Sequence, residues 1–115
     1  MYKIDVLGQE YTISIVPESE DPKLKVNNGY CDCSTHEIVI CNSDDLLEDL
    51  DAVKDMKAFI KQVTRHEIIH AFLCESGLQA CSGATNCWAY NEEMIDWFAI
   101  QSPKIIKAFK DAKCI

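Results

Sequence analysis

The spacing of apolar positions changes character once along this chain, from alternation to helical periodicity. Tyr2, Ile4 and Val6 alternate with Lys3 and Asp5, and Tyr11, Ile13 and Ile15 alternate with Thr12 and Ser14. Alternation gives a strand one apolar face, so these runs predict a hairpin turned at Gly8-Gln9. Pro17 through Lys23 reads as an acidic loop. Asn28-Gly29 is a tight-turn pair leading to a strand from Tyr30, and Ile38-Val39-Ile40 reads as a short buried strand. The polar run Cys41-Asn42-Ser43-Asp44 ends that strand and caps the helix to come.

From Leu46 to Ser76 there is neither proline nor glycine. Within that stretch Phe59, Ile60, Val63, His66, Glu67, His70 and Leu73 fall at intervals of three and four, the signature of one helical face. A helix beginning between Leu50 and Asp55 is expected, with Gly77 as its stop because glycine enters the left-handed conformation freely. Ile68, Ile69 and Phe72 make its other side apolar as well, which predicts neighbours on most sides. Asn91 to Ala99 reads as a second helix with Met94, Ile95, Phe98 and Ala99 turned inward. Ser102-Pro103 predicts the start of a last helix, with proline at its first position and Ile105, Ile106 and Phe109 as its stripe. Between them Ser76 to Tyr90 reads as an irregular loop. Strands followed by helices predict a single α+β domain over residues 1–115: a small, mostly antiparallel sheet, one long helix and two further helices packed on one face.

The chemistry concentrates in His66-Glu67-Ile68-Ile69-His70. Residues four apart share a helix face, so both imidazoles can turn a nitrogen toward one point. Zinc takes such nitrogens at about 2.0–2.1 Å in a tetrahedral shell. Glu67 follows the first ligand directly, where its carboxylate can take a proton from a water on the metal. A third ligand is needed, and Glu92 is the best placed, with Glu93 as its rival about 100° around the helix. Asp96, four residues after Glu92, can hydrogen-bond a ligating histidine from behind, as metal-bound histidines ordinarily require.

This pairing of His66-Glu67-x-x-His70 with Asn91-Glu92-x-x-x-Asp96 resembles the gluzincins, in which a glutamate on a following helix is the third zinc ligand. Glu92-x-x-x-Asp96-x-Phe98-Ala99 is also similar to small ImmA/IrrE-type bacterial and phage metallopeptidases. The resemblance covers roughly residues 38 to 103. It implies zinc on His66, His70 and Glu92, with Glu67 as the catalytic acid/base of peptide hydrolysis. It also implies that a sheet edge borders the cleft and pairs with extended substrate; Ile38 to Cys41 and Tyr30 to Cys33 are the two choices. Those relatives often carry further domains, whereas 23 residues follow Glu92 here. A partner protein completing the cleft is therefore one expectation, and the Ser76 to Tyr90 loop acting as a lid is another. Tyr90 and Arg65 are the candidates for stabilising an oxyanion.

Charge narrows the partners. Nineteen acidic against eleven basic residues give a net −8, which argues against a nucleic-acid backbone. The acids at Glu18-Ser19-Glu20-Asp21 and from Asp44 to Asp51 read as solvated faces. The opening residues carry Lys3, Asp5 and Glu10, unlike a signal peptide, and no apolar run reaches the ~18–20 residues that span a bilayer, so a cytoplasmic protein is expected. Seven cysteines, none in a Cys-x-x-Cys pair, favour free thiols acting as small hydrophobes. Cys81 and Cys87 bracket a short loop, across which a bridge can form under oxidising conditions. His36 reads as a strand-end surface residue. Against the peptidase reading stand a catalytically weak zinc-binding interaction module and a thiol-rich redox or metal sensor.

Overall fold

The structure, a computed structural model, describes residues 1–42, 54–81 and 88–115. The cap at Ser43-Asp44, the acidic run to Asp51 and the Cys81–Cys87 loop residues 82–87 lie outside the described residues.

Four strands form one mixed sheet: β1 (Tyr2–Val6), β2 (Gln9–Val16), β3 (Gly29–Asp32) and β4 (Glu37–Cys41), in the order β1-β2-β4-β3. The hairpin register pairs Val6 with Gln9, so the turn is Leu7-Gly8 rather than Gly8-Gln9. Both residues take positive φ, 53° and 90°. That combination matches the twist of the flanking strands, and Asp5 Oδ1 accepts from the Gly8 amide at 3.1 Å. β2 pairs with β4 in parallel and β4 with β3 antiparallel. The parallel pair requires a crossover, which runs through two short 3-10 turns, Glu18–Glu20 and Pro22–Lys25, and β3. The segment expected as an acidic loop is therefore ordered: Asp21 caps the second turn and accepts from Tyr30 Oη, and Leu24 is buried.

Gly29 corrects another expectation. It is not a turn residue but the first residue of β3, and a Cβ there would meet Ile40 Cδ1, the Val39 carbonyl and Val63 Cγ1 at 3.0 Å. Close approach of sheet and helix, not a positive φ, makes glycine necessary.

Helix α1 (Met56–Glu75) starts one residue beyond the expected window, because Asp55 is its N-cap, accepting from Ala58 N at 3.0 Å. It ends as expected: Gly77 takes φ 83°. One side of α1 lies on the sheet, where Ala71 joins Val6, Tyr11, Ile13, Ile38 and Ile40 in a fully buried core. The other side meets Ala89 and Ile95 through Leu73 and Ile69. Phe72 falls between these contacts and is exposed. Ile15 is exposed too: β1 begins opposite Ile13, so on that side Ile15 has no strand partner, and it pairs only with Ile40 of β4.

After a one-turn helix α2 (Leu78–Cys81) and a 3-10 turn Trp88–Tyr90, the chain enters α3 (Glu92–Asp111). The last helix does not start at Pro103: α3 is continuous and carries Pro103 inside it. Proline costs an interior helix a hydrogen bond, and a neighbouring side chain offsets that loss, as described below. The fold is α+β, a four-stranded mixed sheet with α1 across one face and α3 against α1. Among the described residues no helix is long and apolar enough to cross a membrane.

Candidate metal centre

α1 presents His66 and His70 one turn apart, with their Nε2 atoms 3.0 Å from each other. α3 begins beside them. Asn91 caps it, accepting from Met94 N at 2.9 Å, and so fixes where its first residue stands. Glu92 Oε2 lies 3.2 Å from His66 Nε2, and Glu92 Oε1 3.4 Å from His70 Nε2. One turn on, His66 Nδ1 donates to Asp96 Oδ1 at 2.6 Å. A carboxylate can only accept, so the Nδ1 proton is fixed and the Nε2 lone pair is left to face the shared point.

The spacing suits a tetrahedral cation. Ligands about 2.0–2.1 Å from zinc stand roughly 3.3–3.4 Å from one another; here the two nitrogens are 3.0 Å apart, and each faces a different Glu92 oxygen, at 3.2 and 3.4 Å. Two neutral imidazoles and one carboxylate are also the donor types that zinc accepts while keeping a position open. Glu92, not Glu93, is the acid that α3 turns toward both rings. Glu67 forms a group with His66 and His70 whose donor atoms all lie within 4.8 Å of one another.

Burial tunes these groups. Glu67 is enclosed, and desolvation raises its carboxyl from 4.5 to about 7; Glu92 and Asp96 push the same way, while His66 opposes them. Burial lowers His70, against the pull of Glu92, which favours the neutral ring a metal needs.

Two cavities of about 460 and 370 Å³ share Asn27, Gly29, His66 and Glu67 as lining. The first continues between Phe59, Val63 and Ile100, the second past Cys31 to Glu92. Together they make a groove along β3, which is the sheet's edge; β4 is interior. Of the two expected edges, the one beginning at Tyr30 is the one beside the site. Neither cavity is lined by Tyr90 or Arg65. Arg65 Nε instead donates to the Ala99 carbonyl on α3.

Among the described residues Cys41 is buried, Cys31, Cys33 and Cys74 are half-buried, and Cys114 is exposed. Cys31 and Cys33 Sγ atoms are 3.9 Å apart, and burial pushes the Cys31 thiol far above its usual range and Cys74 up to about 12. Protonated thiols are poor nucleophiles and poor ligands. His36 differs from a plain surface residue. It takes φ 58°, stacks edge-on to Tyr11 at 5.2 Å and faces Glu75 at 3.6 Å, where Tyr11 Oη also donates at 2.7 Å. No period in the sequence signals that link between a hairpin strand and the end of α1.

Comparison with protein-family models, curated proteins and solved structures returned no match to this chain.

Proposed function

We propose that this chain is a zinc-dependent metallopeptidase, with His66, His70 and Glu92 as ligands and Glu67 as general acid/base. The observation that carries the reading is the convergence of both Nε2 atoms and the Glu92 carboxylate within 3.0–3.4 Å, with Glu67 buried beside them. A purely structural site favours a closed four-ligand shell and gives no reason for an enclosed glutamate next to it. When bound, zinc supplies a Lewis acid that polarises a carbonyl and acidifies a water.

The protein's own residues do the rest. Asp96 holds the His66 ring in the tautomer that faces the site. Glu67, whose carboxyl titrates about 7 in the metal-free chain, takes a proton from water at its carboxylate and delivers it to the departing amine. Among the described residues β3 is an edge strand, and its edge offers main-chain groups to an extended peptide, a mode that gives affinity whatever its side chains. A peptide or unfolded protein segment is the substrate class that fits this groove, and a cytoplasmic setting suits the free thiols.

The test pairs metal analysis with a conservative variant. Wild type and Glu67→Gln should each carry one zinc, lost on chelation, while hydrolysis of a broad peptide library falls by ~10²–10⁴-fold in the variant. Equal hydrolysis by both would refute the role of Glu67. Zinc without hydrolysis in either would favour an interaction module, a reading supported by a third, apolar cavity of about 430 Å³ between α1 and α3.

A further inference from the structure

Pro103 lies inside α3 and has no N–H to give to Ala99, the residue four positions earlier. Its ring also crowds that carbonyl. The Ala99 carbonyl is therefore an acceptor without its helical donor, and Arg65 Nε on α1 donates to it. Arg65 directly precedes His66, and Ala99 stands one turn beyond Asp96 on the same side of α3. The tie thus joins the two helices within one residue of a proposed ligand and one turn of the group that orients it.

We infer that Arg65 is a positioning residue: by bonding the carbonyl that Pro103 frees, it sets the register of α3 on α1. In that register Asp96 reaches His66 Nδ1, and Glu92 reaches both Nε2 atoms. The inference deepens the metal-site reading and rests on it. Glu92 and Asp96 are exposed, with side chains 62% and 58% accessible, so neither is held by its surroundings. Apart from the Glu92 and Asp96 contacts of the site itself, the helices meet through apolar groups such as Ile69, Met94 and Ile95, and apolar contact is non-directional. A slide of α3 by a fraction of a turn would keep most of that burial and lose the site. A hydrogen bond is directional, and the guanidinium is always charged and fixed in shape, so this contact discriminates between registers from outside the site. Arg65 also lines the apolar cavity formed with Ile68, Leu73, Phe98 and Ile106, where few other acceptors compete for its head.

Two readouts on the full chain separate the roles. In the metal-free protein, an imidazole proton–nitrogen NMR spectrum should show a downfield His66 Nδ1–H held by Asp96, lost in Asp96→Asn. Arg65→Met should lose it as well, and should bind zinc ~10–100-fold more weakly in competition with a chromophoric chelator. Adding Pro103→Ala returns an N–H to the Ala99 carbonyl without any tie to α1. The double variant should regain Tm while the Nδ1–H signal stays absent and zinc binding stays weak. Recovery of all three would mean that Arg65 merely satisfies a stranded carbonyl, and an unchanged Nδ1–H signal in Arg65→Met would overturn the inference outright. Should Arg65→Met not fold, Arg65→Lys replaces it; a shifted Nδ1–H that Pro103→Ala does not restore supports the positioning role, and an unshifted one overturns it. A wild type that binds neither zinc nor cobalt would refute the metal site, while the Nδ1–H comparison still decides the role of Arg65.

Discussion

Replacing Glu67 with glutamine probes the site without the metal and without a substrate. Burial raises the Glu67 carboxyl from 4.5 to about 7. The folded chain therefore holds a proton that the unfolded chain releases between those two values. Stability from this group is fully present below pH 4.5 and is lost as pH rises through about 7. At 1.36 kcal/mol per unit of pKa, the loss is at most about 3 kcal/mol, or roughly 12 °C in Tm for a chain of this size. Glutamine keeps the shape but cannot ionise. His70, which burial lowers, gives the opposite slope, lost as pH falls, but it is common to both proteins and cancels in their difference. The assay is urea or thermal denaturation of metal-free wild type and Glu67→Gln at pH 4.5 and 7.5. Wild type should lose ground to the variant by about 3 kcal/mol between the two. Zinc should abolish that slope, because a cation beside the carboxylate favours its ionised form. A difference between the proteins that does not change with pH would mean that Glu67 is already ionised in the folded chain, which would remove the basis for a base poised near neutrality.

Glu92→Ala should cut bound zinc well below one per chain by elemental analysis while Glu93→Ala leaves it intact; the reverse pattern would reassign the third ligand. Gly29→Ala should destabilise the chain by about 1–3 kcal/mol in urea titration, because its Cβ would press on Ile40, Val63 and the Val39 carbonyl at 3.0 Å. Wild-type stability in that variant would show that the sheet and α1 can separate at no cost.

Local periodicity alone predicted most of the elements. The hairpin alternation, the Ile38-Val39-Ile40 strand and the helix carrying His66 and His70 follow from side chains that must share a face, and a helix fixes residues four apart however the rest of the chain folds. Glu92 and Asp96 were legible in the same way, as one face of a second helix. Three matters belonged to tertiary structure. The sequence pointed to a helix start at Pro103 because proline is unwelcome inside a helix; in the fold α3 runs through it, and Arg65 from α1 donates to the carbonyl that Pro103 leaves without a helical donor. It pointed to a turn at Gly29 because Asn-Gly is a turn pair; only the packing of Val63 and Ile40 reveals that the missing side chain matters more than the backbone angle. It left two strands as candidate edges, since edge position depends on which strands pair across the crossover from β2 to β4. Periodicity encodes which residues face together within one element. Register between elements is a property of contacts distant in sequence, and those decide that Glu92 meets two histidines while Arg65 turns away from them.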